Sequence, residues 1–193
     1  MIIIGLGNPG VEYEGTRHNT GRSFLMYFAK KNGFSKWEGD KKLNAETSEG
    51  KIGSKKALLV IPDTFMNRSG DAVKKLVSAG GRSSSGGKSK KAAAEALIVY
   101  DDLDLPLGTL KISFGKNSGG HQGVESVIKA LGTKDFPRIR IGVSPATPSG
   151  NVRKPDGEKK IIAFLLGKFT KGEQEKMAKL YKKVTGALLM IIS

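Results

Sequence analysis

Three short apolar runs constrain the fold of this 193-residue chain most: Ile2-Ile3-Ile4, Ala57-Leu58-Leu59-Val60-Ile61 and Ala96-Leu97-Ile98-Val99-Tyr100. Each is apolar at consecutive positions and too short for a helix, so each reads as a strand, the second and third as buried strands of a sheet. Helical patterns run between them. Thr20 to Asn32 puts Phe24, Leu25 and Phe28 on one face and stops at Asn32-Gly33. A second helix, from about Gly70 to Ala79 with Ser69 as its cap, turns Ala72, Val73, Leu76 and Val77 inward. Leu43 to Ile61 is expected to hold two strands meeting around Ser48-Glu49-Gly50-Lys51, the second ending before Pro62.

Further along, the run ending at Tyr100 delivers Asp101, Asp102 and Asp104 to a loop that ends at Pro106, with Asp102 and Asp104 holding the turn. Thr109 to Phe114 and Arg138 to Val143 read as strands, separated by the glycine-rich loop Ser118-Gly119-Gly120-His121-Gln122-Gly123 and a helix bearing Val124, Val127, Ile128 and Leu131. Ser144 to Glu158 contains three prolines and is expected to be a long loop able to act as a lid. Thr170 and Glu173 form a capping box that opens a final helix over 171–193, packed through Met177, Leu180, Tyr181, Val184 and Leu188. Residues 80–91, rich in Ser, Gly and Lys without apolar period, are predicted to be a flexible surface insertion rather than a domain boundary. The whole, 1–193, reads as a single α/β domain with a mixed central β-sheet flanked by helices.

Composition narrows the chemistry. With no cysteine there is no thiol nucleophile, disulfide or Cys-ligated zinc, and two histidines make a histidine-rich metal site a poor expectation, so no metal is assigned. The N-terminus runs straight into Ile2 with neither a basic leader nor a membrane-length apolar stretch, which points to a soluble, cytoplasmic protein. A formal charge of +15 favours a polyanionic partner.

Both histidines lie in polar, glycine-flanked stretches rather than on apolar faces. Strand ends in an α/β sheet converge at one edge, and Asn8, the Phe65-Met66-Asn67 loop and Asp101 each follow a run assigned to that sheet. A carboxylate at a strand end fixes the tautomer of an imidazole and stabilises the imidazolium it becomes, so Asp101 is paired with His18 as general base on a water. Asn8 and Asn67 are then donors to a carbonyl on which negative charge develops. His121 either contacts a ligand or caps backbone groups. Gly5-x-Gly7-x-x-Gly10 matches the dinucleotide-binding string, but Asn8-Pro9-Gly10 is a turn signal and some ten polar residues precede the first helix, so no nucleotide cofactor is expected.

Taken in order, Gly5-Leu6-Gly7-Asn8-Pro9-Gly10, Tyr13 with Thr16-Arg17-His18-Asn19, Thr64 to Gly70, Asp101-Asp102-Leu103-Asp104-Leu105-Pro106, Gly119-Gly120-His121 and Phe136 to Gly142 make the chain resemble bacterial-type peptidyl-tRNA hydrolases. The resemblance implies a monomeric, cofactor-independent enzyme that cuts the ester between a peptide and the tRNA 3′ end. It implies His18 as base, Asp101 as its support, and Asn8 as the residue that distinguishes a blocked amino group from a free one. Tyr13, Phe65 and Asn67 match positions that contact the tRNA end and first peptide residues, with Met66 beside them in the cleft wall. Two departures stand out. Gln122 follows the second loop histidine where the family usually has Asn, and Ser113 occupies the lysine position of a basic pair that meets the tRNA 5′ phosphate. Arg140 matches the arginine of that pair, and Lys111, on the same strand face as Ser113, is the expected substitute. A non-catalytic RNA-processing protein on the same fold is the alternative; retention of Asn8, His18, Asn67 and Asp101 favours the enzyme.

Overall fold

The computed structural model describes residues 1–80 and 96–192, so the predicted 80–91 insertion lies outside the described residues beyond Gly80. The strands are β1 (Ile2–Gly5), β2 (Glu38–Asp40), β3 (Ala45–Ile52), β4 (Lys55–Pro62), β5 (Ala96–Pro106), β6 (Leu110–Phe114) and β7 (Pro137–Ser144). They form one sheet in the order β2-β3-β4-β1-β5-β7-β6. The three apolar runs become its middle: β1 pairs parallel with β4 on one side and β5 on the other, and β5 pairs parallel with β7. The β2, β3 and β6 edges run antiparallel.

The helices are α1 (Thr20–Lys31), α2 (Ser69–Gly80), α3 (Gln122–Leu131), α4 (Glu158–Leu166) and α5 (Lys171–Ile192). Phe24, Leu25 and Phe28 of α1 pack with Met177, Leu180, Val184 and Leu188 of α5 on one face of the sheet. On the other, Ala72, Val73, Leu76 and Val77 of α2 meet Val124, Val127 and Leu131 of α3. Both faces of the middle strands are therefore dry, which is why their sequences are apolar without alternation. No helix among the described residues is long and apolar enough to cross a membrane.

Several local expectations are corrected. The β3–β4 hairpin turns at Gly53-Ser54, not at Ser48 to Lys51, because buried Ile52 pairs with Lys55 and Gly53 adopts φ 59°. Strand β5 does not yield to a loop after Tyr100: it continues through the acidic cluster, with Asp101 and Asp102 opposite Ile141 and Gly142 of β7 before the register shifts. Ser69 lies inside α2, and its hydroxyl donates to the Met66 carbonyl instead of capping. The Thr170–Glu173 capping box forms as expected, the Thr170 N–H donating to Glu173 and the Glu173 N–H to Thr170.

The chain leaves β1 through α1 on one face, and α2 carries it from β4 across the other face to β5. Beyond the carboxyl ends of β1, β4 and β5 this divergence opens a crevice, the usual place for a site in such sheets.

Candidate active site

That crevice is a cleft of about 730 Å³. After β1 the chain runs into a 3₁₀ turn at Val11–Tyr13 rather than a helix, and a second 3₁₀ turn, Arg17–Asn19, presents His18. The glycines of the opening string serve packing: a Cβ on Gly5 would stand 2.5 Å from the Gly21 carbonyl oxygen, and one on Gly7 would stand 2.7 Å from Arg22 Cβ. They let the β1 loop lie against α1.

Asp101 is almost wholly buried, and each of its oxygens is held by a histidine. His18 Nδ1 lies 2.9 Å from Oδ2, and His121 Nε2 lies 3.2 Å from Oδ1. The backbone N–H of Val124 donates to His121 Nδ1 at 3.2 Å, so that nitrogen is an acceptor and Nε2 carries the hydrogen given to Asp101. His121 is thus the cap of α3, one of the two roles left open for it, and a prop for the carboxylate, with both ring nitrogens bonded within the protein. His18 commits only Nδ1, leaving the Nε2 lone pair for the cleft. Burial would raise the Asp101 pKa, yet the two imidazoles hold it well below the usual carboxylate range. Burial works against a charged His18, but the charge and hydrogen bond of Asp101 outweigh it and lift the ring above its ordinary value. The donor atoms of these three residues lie within 4.8 Å of one another. A cation on His121 Nε2 would force the ring hydrogen onto Nδ1, against the Val124 N–H.

Asn8 is fixed with equal care. Its backbone N–H donates to Asn19 Oδ1 at 2.8 Å and its carbonyl accepts from Asn19 Nδ2 at 2.9 Å. Its own Oδ1 accepts the Met66 N–H at 2.8 Å, tying the β1 loop to the β4 loop. What Asn8 offers a ligand is the pair of donors on Nδ2. Phe65 and Asn67 stand exposed at the rim, and Met66 between them is buried in the wall. Tyr13 meets Phe65 edge to face, ring centroids 6.3 Å apart. Gln122, first residue of α3, is exposed and borders both the cleft and a groove between α2 and α3.

The sequence reading missed the opposite wall. Ile161, Ile162, Leu165 and Leu166 of α4 line the cleft, and none is fully buried by the protein itself. Their 3.6-residue spacing between Gly157 and Gly167 was available as a signal. The preceding loop contributes Lys154, which pairs with Asp104 at 2.8 Å across the mouth.

Arg140 and Lys111 do not line the cleft. They are direct partners across β6 and β7, beside it at the sheet edge. The Arg140 Nε donates to Asp102, whose other oxygen accepts the Asp104 N–H, so Asp102 holds both the turn and the arginine. Ser113 stands opposite Arg138, two residues further along the ladder from Arg140 than Lys111.

The match to known proteins covers the whole chain. The family model described as peptidyl-tRNA hydrolase matches residues 2–193. A peptidyl-tRNA hydrolase of Herpetosiphon aurantiacus is 38% identical over 193 residues, which is 100% of this chain and 84% of that protein. One from Dehalococcoides mccartyi is 38% identical over 196 residues, covering 100% and 93%. The crystal structure of peptidyl-tRNA hydrolase from Acinetobacter baumannii superposes with a TM-score of 0.81 at 30% identity, covering 96% of this chain and 84% of that one. The same β1–β4–β5 crevice, the motifs around it and the full-length match lead to one conclusion: this chain belongs to the peptidyl-tRNA hydrolase family.

Proposed function

We propose that the protein hydrolyses the ester joining a peptide, or an N-blocked aminoacyl group, to the 3′ end of tRNA, with His18 as general base. The observation that carries this reading is Asp101 gripped by two imidazoles, of which only His18 keeps a free nitrogen toward the cleft. Nε2 takes a proton from water as its oxygen attacks the ester carbonyl, and Asp101 stabilises the imidazolium. The donors of Asn8 Nδ2 and Asn67 meet the charge that develops on the carbonyl oxygen. As the tetrahedral intermediate collapses, the imidazolium returns the proton to the departing ribose oxygen, releasing peptide acid and tRNA.

Tyr13 and Phe65 supply ring faces for the tRNA end, Met66 the apolar wall beside them, and Gln122 an amide at the rim. Lys111 and Arg140 meet an acceptor-stem phosphate; with Nε committed to Asp102, Arg140 has its terminal nitrogens left for that contact. In this scheme the protein acts as a monomer, without a cofactor and in the cytoplasm, as the resemblance to the family implies.

The test is release of an N-blocked aminoacyl group from purified tRNA by the wild type and by His18→Ala. Turnover is expected to fall by about 10²- to 10⁴-fold with tRNA affinity unchanged. Equal turnover by both proteins refutes the base. A wild type that binds tRNA without turnover would instead meet the requirement of a non-catalytic RNA-binding protein.

A further inference from the structure

The turn that presents His18 is held from the far end of the chain, and we propose that Arg17 is the positioning residue for His18, anchoring it to the junction between α4 and α5. The inference rests on the reading of His18 as base.

Arg17 is buried, and the proposed chemistry does not use it. Its Nη1 donates to the carbonyls of Gly167 at 3.1 Å and Lys168 at 3.0 Å. Its Nη2 donates to both carboxylate oxygens of Glu173, at 3.0 and 2.8 Å. The guanidinium lies 4.4 Å from the ring centre of Phe164 and 5.1 Å from that of Phe169. The backbones follow the same path: the Arg17 N–H donates to Gly167 at 3.1 Å, Thr16 and Lys168 form an antiparallel bridge, and the Phe169 N–H donates to Gly15 at 3.2 Å. A Cβ on Gly167 would stand 3.3 Å from Arg17 Nη1, so the junction closes directly on the guanidinium.

A buried cation is tolerated when most of its donors are matched: four acceptors from two consecutive carbonyls and one carboxylate meet the two terminal nitrogens as they cannot meet an ammonium, while Nε is buried without a partner among the described residues. The arrangement links two parts of the cleft. One residue away His18 reaches Asp101, while the junction Arg17 grips is the C-terminal end of α4, whose apolar face is the opposite wall. The titratable groups in contact with His18 are Asp101 on β5 and His121 at the start of α3, its ring centroid 4.9 Å away, while Tyr13, Tyr100, Asp104, Lys154 and Glu158 line the same cleft. Asp102, the next residue on β5, is committed to Arg140.

Two variants separate this role from general stability. Arg17→Lys keeps the charge and loses the fork. Glu173→Gln keeps an oxygen for the Thr170 N–H, so α5 starts as before, and removes the charge facing Arg17 together with one of the two oxygens that Nη2 reaches. Because the chain has only two histidines, the imidazole titration of His18 can be followed directly by NMR beside kcat and KM for N-blocked aminoacyl-tRNA. In Arg17→Lys the His18 titration is expected to move to lower pH as its hold on Asp101 loosens. Over the same change kcat should fall about 10- to 100-fold with KM little changed; Glu173→Gln shifts both the same way by less. An unchanged His18 titration in both variants overturns the proposal, whatever happens to kcat. A shifted titration with unchanged kcat leaves the anchor standing and removes His18 as base. Should Arg17→Lys fail to fold, Glu173→Gln with its intact cap decides.

Discussion

At position 101 a carboxylate is buried and still ionised, which is possible because each oxygen accepts from a different imidazole. The proposed mechanism ties the pH dependence of the enzyme to this arrangement. His18 must be neutral to act, and Asp101 raises its pKa, so kcat/KM is expected to rise with pH through a midpoint above the ordinary 6.5. In Asp101→Asn only burial remains, and burial disfavours the charged ring. The midpoint should then drop below 6.5, while the plateau falls by about 10²-fold or more because the Asn amide no longer enforces the Nδ1–H tautomer. Paired pH–rate profiles check both shifts; a midpoint that stays put means that Asp101 does not set the base. The pairing of His18 with Asp101 was legible from residue types and strand ends. The part played by His121 was not, since a ring that caps a helix and one that binds a ligand occupy the same glycine-rich sequence.

At the scale of elements, close approach of helices matters as much as the apolar stripes. A Cβ on Gly70 of α2 would stand 2.2 Å from the Ser126 carbonyl oxygen of α3, and the Gly70 N–H donates to Ser126 Oγ at 3.0 Å. Gly70→Ala must push the two helices apart, and a loss of about 1–3 kcal/mol is expected in urea unfolding. Stability equal to the wild type would show that the α2–α3 contact yields without cost. The long amphipathic elements, α1, α2, α3 and α5, were readable because their buried faces recur at 3.6 residues. The hairpin turn was not. Glycines stand at both 50 and 53, and burial of Ile52 in the packed core selects the second. Helix α4 escaped for a related reason. Ile161, Ile162 and Leu166 face the cleft and only Leu165 also packs on the core, so they resemble neither a buried stripe nor a loop.

For the whole molecule the governing property is the charge of +15 against a polyanionic substrate. The proposed phosphate contact at Lys111 and Arg140 predicts that Lys111→Ala weakens tRNA binding and lowers the slope of log K against log salt by about one. An unchanged slope in a salt titration removes Lys111 from the interface. The sequence alone determined the strands other than β2, most of the helices, the basic surface and the residue types of the site, because hydrophobic period is a local property. Only the tertiary structure decided which histidine keeps a free nitrogen, where α4 lies, and that Arg17 reaches 150 residues along the chain to hold the turn beside it. Those outcomes depend on which groups meet after the chain diverges around β1, and no local pattern encodes a meeting between distant segments.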